Sequence, residues 1–517
     1  MIQQLRTRNF ILCYLGADSY AFVHRTFLEY FCAWEFVWQF KETQTLTAEQ
    51  LKQEVFGQHW QDETWHEVLR LIAGLIDAKF VGEIIDYLLA QAVNRSAFLD
   101  RRDFQRKEGL INLLLAAHCF AEVRNKAAIA STSTHLLKAL QQEIEQEHPY
   151  KLDAELAMAL ITLIAILWQE NPETLSWLKG CLQSDSSLFV PASTVQAIAQ
   201  NWKDDPDTLP WLKSLAQGDT NWSGQYAAVQ VLAQGWRDDP NTLLFLKFLA
   251  QSDDNGDVRY ATVRALAQGW RDDPDTLSWL KFLAQSDDKV VRNAVAQALA
   301  QGWRDDPDTL PILKSFAQSD EDRVVRSVAV RMLAQDFKAD PDTLHILKSC
   351  TQNDEDGSVR FVAVQELAQH FKDDPDTLPI LKSRAQNDED HFVRFVAVQE
   401  LAQGFKDDPE TLLFLKSCAQ RDNNAEVRRA AVQVLVQGWK DEPTIFKFLS
   451  DRILQDPFER KRDGYTNPRQ TALEAIIEYY SDHPRTRELL SDRAQNDSDE
   501  QVREFAKQQL AKLETQK

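Results

Sequence analysis

Residues Asp305–Phe337 read DDPDTLPILKSFAQSDEDRVVRSVAVRMLAQDF, and this stretch is one copy of a repeat. Its opening string, Asp-Pro-x-Thr-Leu, recurs along the chain, and diverged copies stand before and after the series. The prolines of the nine copies are Pro172, Pro206, Pro240, Pro274, Pro307, Pro341, Pro375, Pro409 and Pro443. Their spacing is 34 residues at every step except one of 33. A fixed period of this length indicates a stacked repeat architecture.

Each repeat predicts two helices, A and B. Asp before Pro suits the start of helix A, since an aspartate caps the helix and proline tolerates its first turn. Helix B is predicted from Val324 to about Phe337, with an apolar face at helical spacing. An aromatic residue closes it in nearly every repeat: Trp202, Trp236, Trp270, Trp303, Phe337, Phe371, Phe405 and Trp439. Pairs this short bury their apolar faces only by stacking, which predicts an all-α superhelix.

The composition agrees with a helical protein. The 517 residues include only 16 glycines and 17 prolines, too few for a turn-rich β protein. The formal charge of −21 disfavours nucleic acid as the main ligand, because such a surface repels phosphates.

Two further observations bear on location. Six cysteines without paired spacing predict reduced, mostly buried thiols. The longest uncharged apolar run, Leu156–Trp168, has 13 residues, whereas a membrane span needs roughly 20. We therefore expect a cytoplasmic chain with no membrane partner.

Helix B carries the pattern Val-Arg-x-x-Ala-Val-x-x-Leu, which resembles HEAT repeats of the short kind over residues 171–513. The Trp-x2-Leu-Gly-x2-Tyr pattern of tetratricopeptide repeats is absent. The resemblance implies an α-solenoid of the armadillo type that binds other proteins.

The arginine of that pattern recurs as Arg259, Arg292, Arg326, Arg360, Arg394 and Arg428. An aspartate stands six residues before five of them, and Asp287 stands five before Arg292. The resemblance implies an Asp–Arg ladder between neighbouring repeats. We interpret it as scaffold rather than as an anion-binding stripe, because paired charges satisfy each other.

Catalytic and metal motifs are missing from the sequence. It has no His-Glu-x-x-His, no Cys-x-x-Cys, no Gly-x-Ser-x-Gly and no dinucleotide glycine pattern. The Asp-Asp-Pro-Asp clusters resemble calcium ligands only in composition, and helix capping explains them. We predict no catalytic residue, no metal and no cofactor.

The N-terminal third does not share the period. Asn9–Leu15 and Ser19–Val23 predict a β-hairpin, and it leads into His24-Arg25-Thr26-Phe27-Leu28-Glu29-Tyr30-Phe31. With Phe22 before it, this run resembles the end of the winged helix in NACHT-type NTPases. The resemblance implies a winged-helix remnant at 1–40, a helical linker at 41–170 and sensor repeats at 171–513.

In that family the winged-helix histidine contacts bound nucleotide, and His24 matches it. No phosphate-binding Gly-x4-Gly-Lys-Ser/Thr loop occurs in the chain, which therefore is expected to begin after an ATPase core. An NTPase module encoded upstream is one expected partner. A packed or capping role for His24 stays equally open.

A stripe on helix B is the candidate partner-binding surface. Positions one and five after the pattern arginine share one helix face, and the first of them varies freely. The residues singled out are Tyr226, Tyr260, Arg264, Arg331, Phe361, Phe395 and Arg429. Aromatic and arginine side chains favour interface hot spots. The alternative, that the aromatics only cover the seam between neighbouring B helices, stays open.

A second candidate is the long loop Asp456–Asn467, which contains Arg460, Lys461 and Arg462. The leading hypothesis is a non-enzymatic protein-binding array, the sensor part of a NACHT-type signalling or defence system. The alternatives are a HEAT-type bilin lyase acting on phycobiliproteins and a passive assembly scaffold.

Overall fold

The computed structural model describes residues 12–16, 19–22, 24–91, 110–145, 154–182, 189–218, 222–460 and 467–515. Contacts divide the chain into two compact units, Met1–Leu249 and Ala250–Lys517. Each unit is described by itself. The boundary lies inside the segment predicted as a continuous array at 171–513.

The first unit begins with two short antiparallel strands. These are β1, Leu12–Gly16, and β2, Ser19–Phe22, with Leu12 opposite Phe22 and Tyr14 opposite Tyr20. They overlap the two segments for which a hairpin is predicted. Residues 9–11 and 23 of that prediction lie outside the described residues.

Helices without the 34-residue period follow the strands. They are α1 (Arg25–Lys41), α2 (Ala48–Gln50), α3 (Gly57–His59), α4 (His66–Leu75), α5 (Ala78–Leu89), α6 (Ile111–Ala121), α7 (Ala130–Glu145) and α8 (Ala154–Leu167). A π-helical segment, Leu51–Phe56, joins α2 to α3, and Glu63–Trp65 and Lys126–Ile129 are 3₁₀-helical.

The periodic part consists of helix pairs in which odd numbers are A helices and even numbers are B helices. In the first unit these are α9 (Pro172–Cys181), α10 (Phe189–Asn201), α11 (Thr208–Gln217) and α12 (Trp222–Gly235), and α13 (Pro240–Ser252) crosses the boundary. In the second unit they are α14 (Gly256–Gly269), α15 (Pro274–Leu283), α16 (Lys289–Gly302), α17 (Thr309–Ser319), α18 (Arg323–Asp336), α19 (Pro341–Asn353), α20 (Gly357–His370), α21 (Thr377–Asn387), α22 (His391–Gly404), α23 (Thr411–Arg421), α24 (Ala425–Trp439), α25 (Ile445–Gln455), α26 (Pro468–Tyr479), α27 (Pro484–Asn496) and α28 (Glu500–Thr515). The all-α solenoid prediction is confirmed.

The final pair, α27 and α28, is one that the repeated string does not mark. Its A helix starts at His483-Pro484, where His483 replaces the aspartate and its ring accepts a hydrogen bond from the Arg485 amide. The proline at the first turn is the surviving signal.

Helix A starts in two ways although the string is nearly constant. In α15 and α19 the aspartate before proline caps the helix, as the sequence predicts. In α17 and α21 the helix begins two residues later, at Thr309 and Thr377. Both threonine hydroxyls donate to the carbonyl of the aromatic residue that ends the preceding B helix, at 2.8 Å. The threonine thereby ties one pair to the next.

The core lies between the helices of successive pairs. In α18 the buried residues include Val325, Ala329, Val330 and Leu333, the face that the sequence predicts. In the second unit, neighbouring B helices from α14 to α26 pack side by side. None of the described helices is long and apolar enough to cross a membrane.

Candidate functional site

Six arginines of the second unit each close a buried, two-pronged ion pair. Arg292 donates from Nε and Nη2 to the carboxylate of Asp320, at 2.7 and 2.8 Å, and from Nη1 to the Ser286 carbonyl. The same two-pronged geometry recurs in Arg326–Asp354, Arg360–Asp388, Arg394–Asp422, Arg428–Asp456 and Arg469–Asp497. We call this series the ladder.

Each rung of the ladder joins two repeats. The carboxylate that Arg326 binds belongs to Asp354, 28 residues later, in the following repeat. Asp320, six residues before Arg326, offers that arginine its backbone carbonyl and gives its carboxylate to Arg292. Every aspartate of this kind therefore contacts two arginines.

Asp287 does not take the ladder position proposed for it and is exposed. Asp288 instead accepts from Arg259 and also from the Val290 amide, as the cap of α16. The turn before α16 is one residue shorter than the others, which is the single 33-residue step. Asp288 therefore both pairs with an arginine and caps a B helix, whereas Asp320 and Asp322 share these two roles in the turn before α18.

The rungs are closed to solvent. The side chains of Arg360 and Asp388 are only 6% and 1% exposed. The hydrogen bonds to Asp388 raise the pKa of Arg360 above its ordinary value. Charges buried and paired in this way leave no unpaired group for an anion, which favours the interpretation of the ladder as scaffold.

Sequence reasoning did not assign Arg469 and Arg503 to the ladder. Arg469 pairs with Asp497, and Arg503 Nη1 donates to the Asp497 carbonyl at 2.7 Å. The Val502-Arg503 dipeptide is the signal that points to Arg503, whereas Arg469 follows proline after the long loop and lacks it.

The acidic clusters at the starts of the A helices hold lysines. Lys314 reaches Asp340 at 2.7 Å and Asp342 at 2.8 Å, in the following repeat. Lys281, Lys348 and Lys382 repeat the arrangement. Hydrogen bonding to Lys314 lowers the pKa of Asp340 below its ordinary value. Within the described ranges, no group of three or more histidine, cysteine or carboxylate side chains has metal-binding geometry.

We define the B face by residues one, five and nine positions after the ladder arginine on α14 to α24. On α14, the Tyr260 hydroxyl donates to Gln297 of α16 at 2.7 Å. The Arg264 guanidinium lies 5.7 Å from the centre of the Tyr260 ring. Tyr260 thus contacts the neighbouring B helix, which is the position that the seam interpretation expects for it.

The remaining stripe residues lie in varied surroundings. Phe361 and Phe395 are half-buried and pack against the core. Arg331 is exposed and its Nε lies 3.3 Å from Glu366 of α20. Arg429 pairs with Glu426 on its own helix, at 2.7 Å. Tyr226, 45% exposed, belongs to the first unit.

Two features of the B helices were not predicted from the sequence. The ninth position is glutamine in every helix and exposed in all of them: Gln268, Gln301, Gln335, Gln369, Gln403 and Gln437. In addition, Glu366 and Glu400 are buried carboxylates on α20 and α22. Both features are visible once the repeats are aligned column by column.

The long loop and His24 are the two remaining candidate sites. Arg460 pairs with Asp499 at 2.9 Å, so its charge is balanced, and Lys461 and Arg462 lie outside the described residues. His24 is exposed at the N-cap of α1, where its ring makes no capping bond and Nδ1 lies 2.8 Å from Thr26 Oγ1.

Four cysteines of the described helices are buried. Burial raises the pKa of Cys119, Cys181, Cys350 and Cys418 to about 12, so little thiolate forms at neutral pH. Cys350 and Cys418 occupy equivalent buried positions on α19 and α23, which agrees with a core role.

A shallow pocket of about 400 Å³ lies between α19 and α21, lined by His345, Lys348, Gln352, Asp376 and Ile380 among others. Its lysine is already held by Asp374 and Asp376, at 2.6 and 2.9 Å. The pocket therefore offers a ligand no unpaired lysine.

The ladder and the stacked pairs agree with the comparison to known families. The family described as HEAT repeats matches residues 175–267, 242–334 and 344–436. These three segments of the chain are similar to HEAT repeats. No curated protein sequence matches the chain.

Solved structures with distant likeness include Escherichia coli YibA, 18% identical over 56% of this chain and 98% of that one, with a TM-score of 0.34. The crystal structure of Kap121p is 13% identical over 88% of this chain and 57% of its own length, with a TM-score of 0.40. The crystal structure of a Kap121p mutant is 14% identical over 94% of this chain and 56% of its own length, with a TM-score of 0.35. This chain spans little more than half the length of Kap121p. At these values, none of these structural similarities supports a functional argument for this chain.

Proposed function

We propose that this HEAT chain is a non-enzymatic protein-binding array, and that its partner contacts the B face of α14–α24. A HEAT array suggests an interaction scaffold, and the B face is the part of it that we assign to partner binding. The observation that carries it is a contrast within each B helix. The ladder position is always arginine, whereas the position immediately after it is Tyr260, Asn293, Ser327, Phe361, Phe395 or Arg429.

Fold requirements explain constancy but do not explain this variation. All six side chains stand on the same helical framework, and the residue before each is an arginine that is buried in five helices and half-buried in α14. A surface that keeps its backbone and changes its chemistry suits recognition, because specificity arises from differences in local contacts. The half-buried aromatics supply rigid apolar area, and the exposed glutamines beside them supply donors and acceptors.

Partner capture with matched surfaces tests this proposal. The chain, carrying an affinity tag, is incubated with extract from its source cells, and captured proteins are quantified by mass spectrometry. Phe361→Leu and Phe395→Leu change the B face but keep an apolar side chain against the core. Phe282→Ala and Leu413→Ala change A helices, where both side chains are 68% exposed.

We expect the paired B-face substitutions to reduce a specific partner about tenfold, a loss typical of hot spots. The A-helix substitutions should leave capture unchanged. If the A-helix substitutions reduced capture and the B-face variant still captured the partner fully, the partner would contact the A helices and not the B face.

We further propose that the array acts as the sensor part of a NACHT-type signalling or defence system. This proposal rests on the run from His24 to Phe31, and under it His24 serves nucleotide sensing. An immunoblot of source-cell lysate with an antibody against the repeats is the test. A band far above 59.4 kDa would support an NTPase module on the same chain. A band at that size would leave only a separate NTPase partner. The bilin lyase alternative stays a prediction from repeat type, and an assay of bilin transfer to a phycobiliprotein decides it.

A further inference from the structure

Two B helices of the second unit carry a carboxylate where five others carry an apolar residue. The position lies six residues after the ladder arginine, and it is occupied by Glu366 in α20 and Glu400 in α22. Their residues are only 3% and 7% exposed. The equivalent residues of α14, α16, α18, α24 and α26 are buried and apolar: Ala265, Ala298, Met332, Val434 and Ala475. A buried carboxylate needs a partner, because removal from water disfavours its charge.

Glu366 has two partners within the chain that can carry a positive charge, an arginine and a histidine that is charged only when protonated. Arg331 of the preceding B helix places Nε 3.3 Å from one carboxylate oxygen. His370, one turn later on the same helix, places Nε2 3.3 Å from the other. Gln335 of the preceding helix completes the set at 3.4 Å. The carboxylate is thus held between a guanidinium, an imidazole and an amide.

Glu400 keeps the amide and lacks both cationic partners. Gln369 donates to it at 3.2 Å, which reproduces the contact of Gln335. Gln365 stands where Arg331 stands, and Gly404 stands where His370 stands. Within the described part of the chain, no lysine, arginine or histidine nitrogen is placed within ion-pair distance of Glu400.

The missing side chain leaves room beside Glu400. A Cβ added at Gly404 would meet no atom within 4 Å. Gly404 is four residues after Glu400, so the two share one helix face. A side chain like that of His370, which lies next to Glu366, is therefore absent next to Glu400.

We propose that Glu400 receives an arginine side chain from a bound partner protein. The proposal rests on the proposed function of the B face and names one of its contacts. Glu366 is the template, since the equivalent carboxylate is already paired with an arginine there. A guanidinium has several donors in one plane and matches a carboxylate with two prongs. The approach runs through the open space at Gly404, past the exposed Gln369.

The electrostatics of the empty position agree with this assignment. Burial raises the pKa of Glu400 above its ordinary value, and the nearby charge of Glu366 adds to the rise, whereas the bond from Gln369 lowers it. An arriving guanidinium would compensate a charge that the free protein holds at a cost. The net charge of −21 also attracts cationic segments over longer distances.

Saturation-transfer NMR on the full chain tests the contact, with N-acetyl-arginine methylamide as the probe and its citrulline analogue as the neutral control. Four proteins are compared: the unaltered chain, Glu400→Gln, Gln365→Arg, and Glu355→Gln as a control for one lost charge. The Glu355 carboxylate is 87% exposed. Circular dichroism and melting curves establish that all four are folded.

We expect saturation transfer to the arginine probe in the unaltered chain and in Glu355→Gln. The signal should fall at least threefold in Glu400→Gln, where the charge is gone, and in Gln365→Arg, where the chain supplies its own guanidinium. The citrulline probe should give little signal in any of them. Equal transfer to the unaltered chain and to Glu400→Gln, or none to either, would overturn the assignment. That failure would leave partner capture by the B face, measured separately, untouched.

Discussion

Helices α20 and α22 contain the same eleven residues, Val359–Gln369 and Val393–Gln403, but they do not have the same surroundings. Their ladder arginines, Arg360 and Arg394, form equivalent buried pairs with Asp388 and Asp422. Their glutamates do not behave alike, because Glu366 meets Arg331 and His370 while Glu400 meets only Gln369.

The difference separates scaffold from surface within one repeated string. The ladder recurs because both of its partners are part of the repeat. The surroundings of the glutamate differ because its partners stand at variable positions, on the preceding helix and just past the string. Identical sequence therefore gives identical packing and unequal charge balance.

We expect the largest loss of unfolding free energy when an arginine of the ladder is removed. Arg394→Ala leaves the Asp422 carboxylate buried without its arginine, and breaking such a pair costs about 3–5 kcal/mol. Arg323→Ala is the control, since that side chain is 60% exposed and its pair with Asp356 is 3.4 Å long. Urea unfolding followed by circular dichroism measures both. Similar losses for the two variants would contradict a structural ladder.

The glutamates are predicted to respond to amide substitution with opposite signs. Glu366→Gln removes a charge that Arg331 and His370 compensate, and it should cost about 1–3 kcal/mol of unfolding free energy. Glu400→Gln removes a charge without a cationic partner and should stabilise the chain at neutral pH. Thermal melts of both variants against the unaltered protein decide the signs. Two losses of equal size would erase the distinction between the helices.

The pH dependence of Glu400→Gln follows from the direction of the pKa shift. Because the folded pKa of Glu400 is raised, its charge destabilises the fold at pH values above that pKa. Acidification through the raised pKa toward the ordinary one relieves the penalty. The stabilising effect of Glu400→Gln should therefore shrink between about pH 7 and pH 4. A gap that widens on acidification would contradict the assignment of a buried, uncompensated charge.

An arginine placed beside Glu400 should form the ion pair that Arg331 forms with Glu366. Gln365→Arg places an arginine where Arg331 stands, and we expect a gain of about 1–2 kcal/mol. Gln399→Arg makes the same change one repeat later, where the facing position holds buried Val434 and no carboxylate. Melting curves should show the gain only for Gln365→Arg. A gain for both would point to a general charge effect in an acidic protein.

The smallest effect concerns the second cationic partner. Gly404→His restores the residue that His370 provides on α20, and Gly302→His is the control because it is equally open but follows Ala298. Both variants gain helix propensity by losing glycine. Near pH 5.5, where histidine is charged, Gly404→His should exceed its control by about 0.5 kcal/mol. Equal melting temperatures would mean that position 404 does not face Glu400.

The repeated string made much of the fold predictable. The spacing of the prolines predicted the helix pairs, and the Val-Arg pattern predicted the B helices, Arg259 and five of the six ladder arginines. The pairing across repeats came from a family resemblance. The shortened turn before α16 misplaced the contact onto Asp287, since spacing alone does not show which of two adjacent aspartates faces the arginine.

The candidate surface was less predictable. Tyr260 and Arg331 are on the B face, but their contacts with Gln297 and Glu366 depend on the register of the next helix, which sequence periodicity does not fix. Glu400 was hidden for the same reason. It belongs to an 11-residue string that occurs twice, and only three-dimensional neighbours distinguish the two copies.

Site-specific photo-crosslinking tests the central claim most directly. Benzoylphenylalanine replaces Gln369 or Gln403, both exposed on the B face, or Phe282 or Leu413 on the A helices. Irradiation in source-cell extract followed by mass spectrometry identifies what each position contacts. We predict one common partner crosslinked from Gln369 and Gln403 and absent from Phe282 and Leu413. A partner crosslinked from the A helices and absent from both B-face positions would contradict the account.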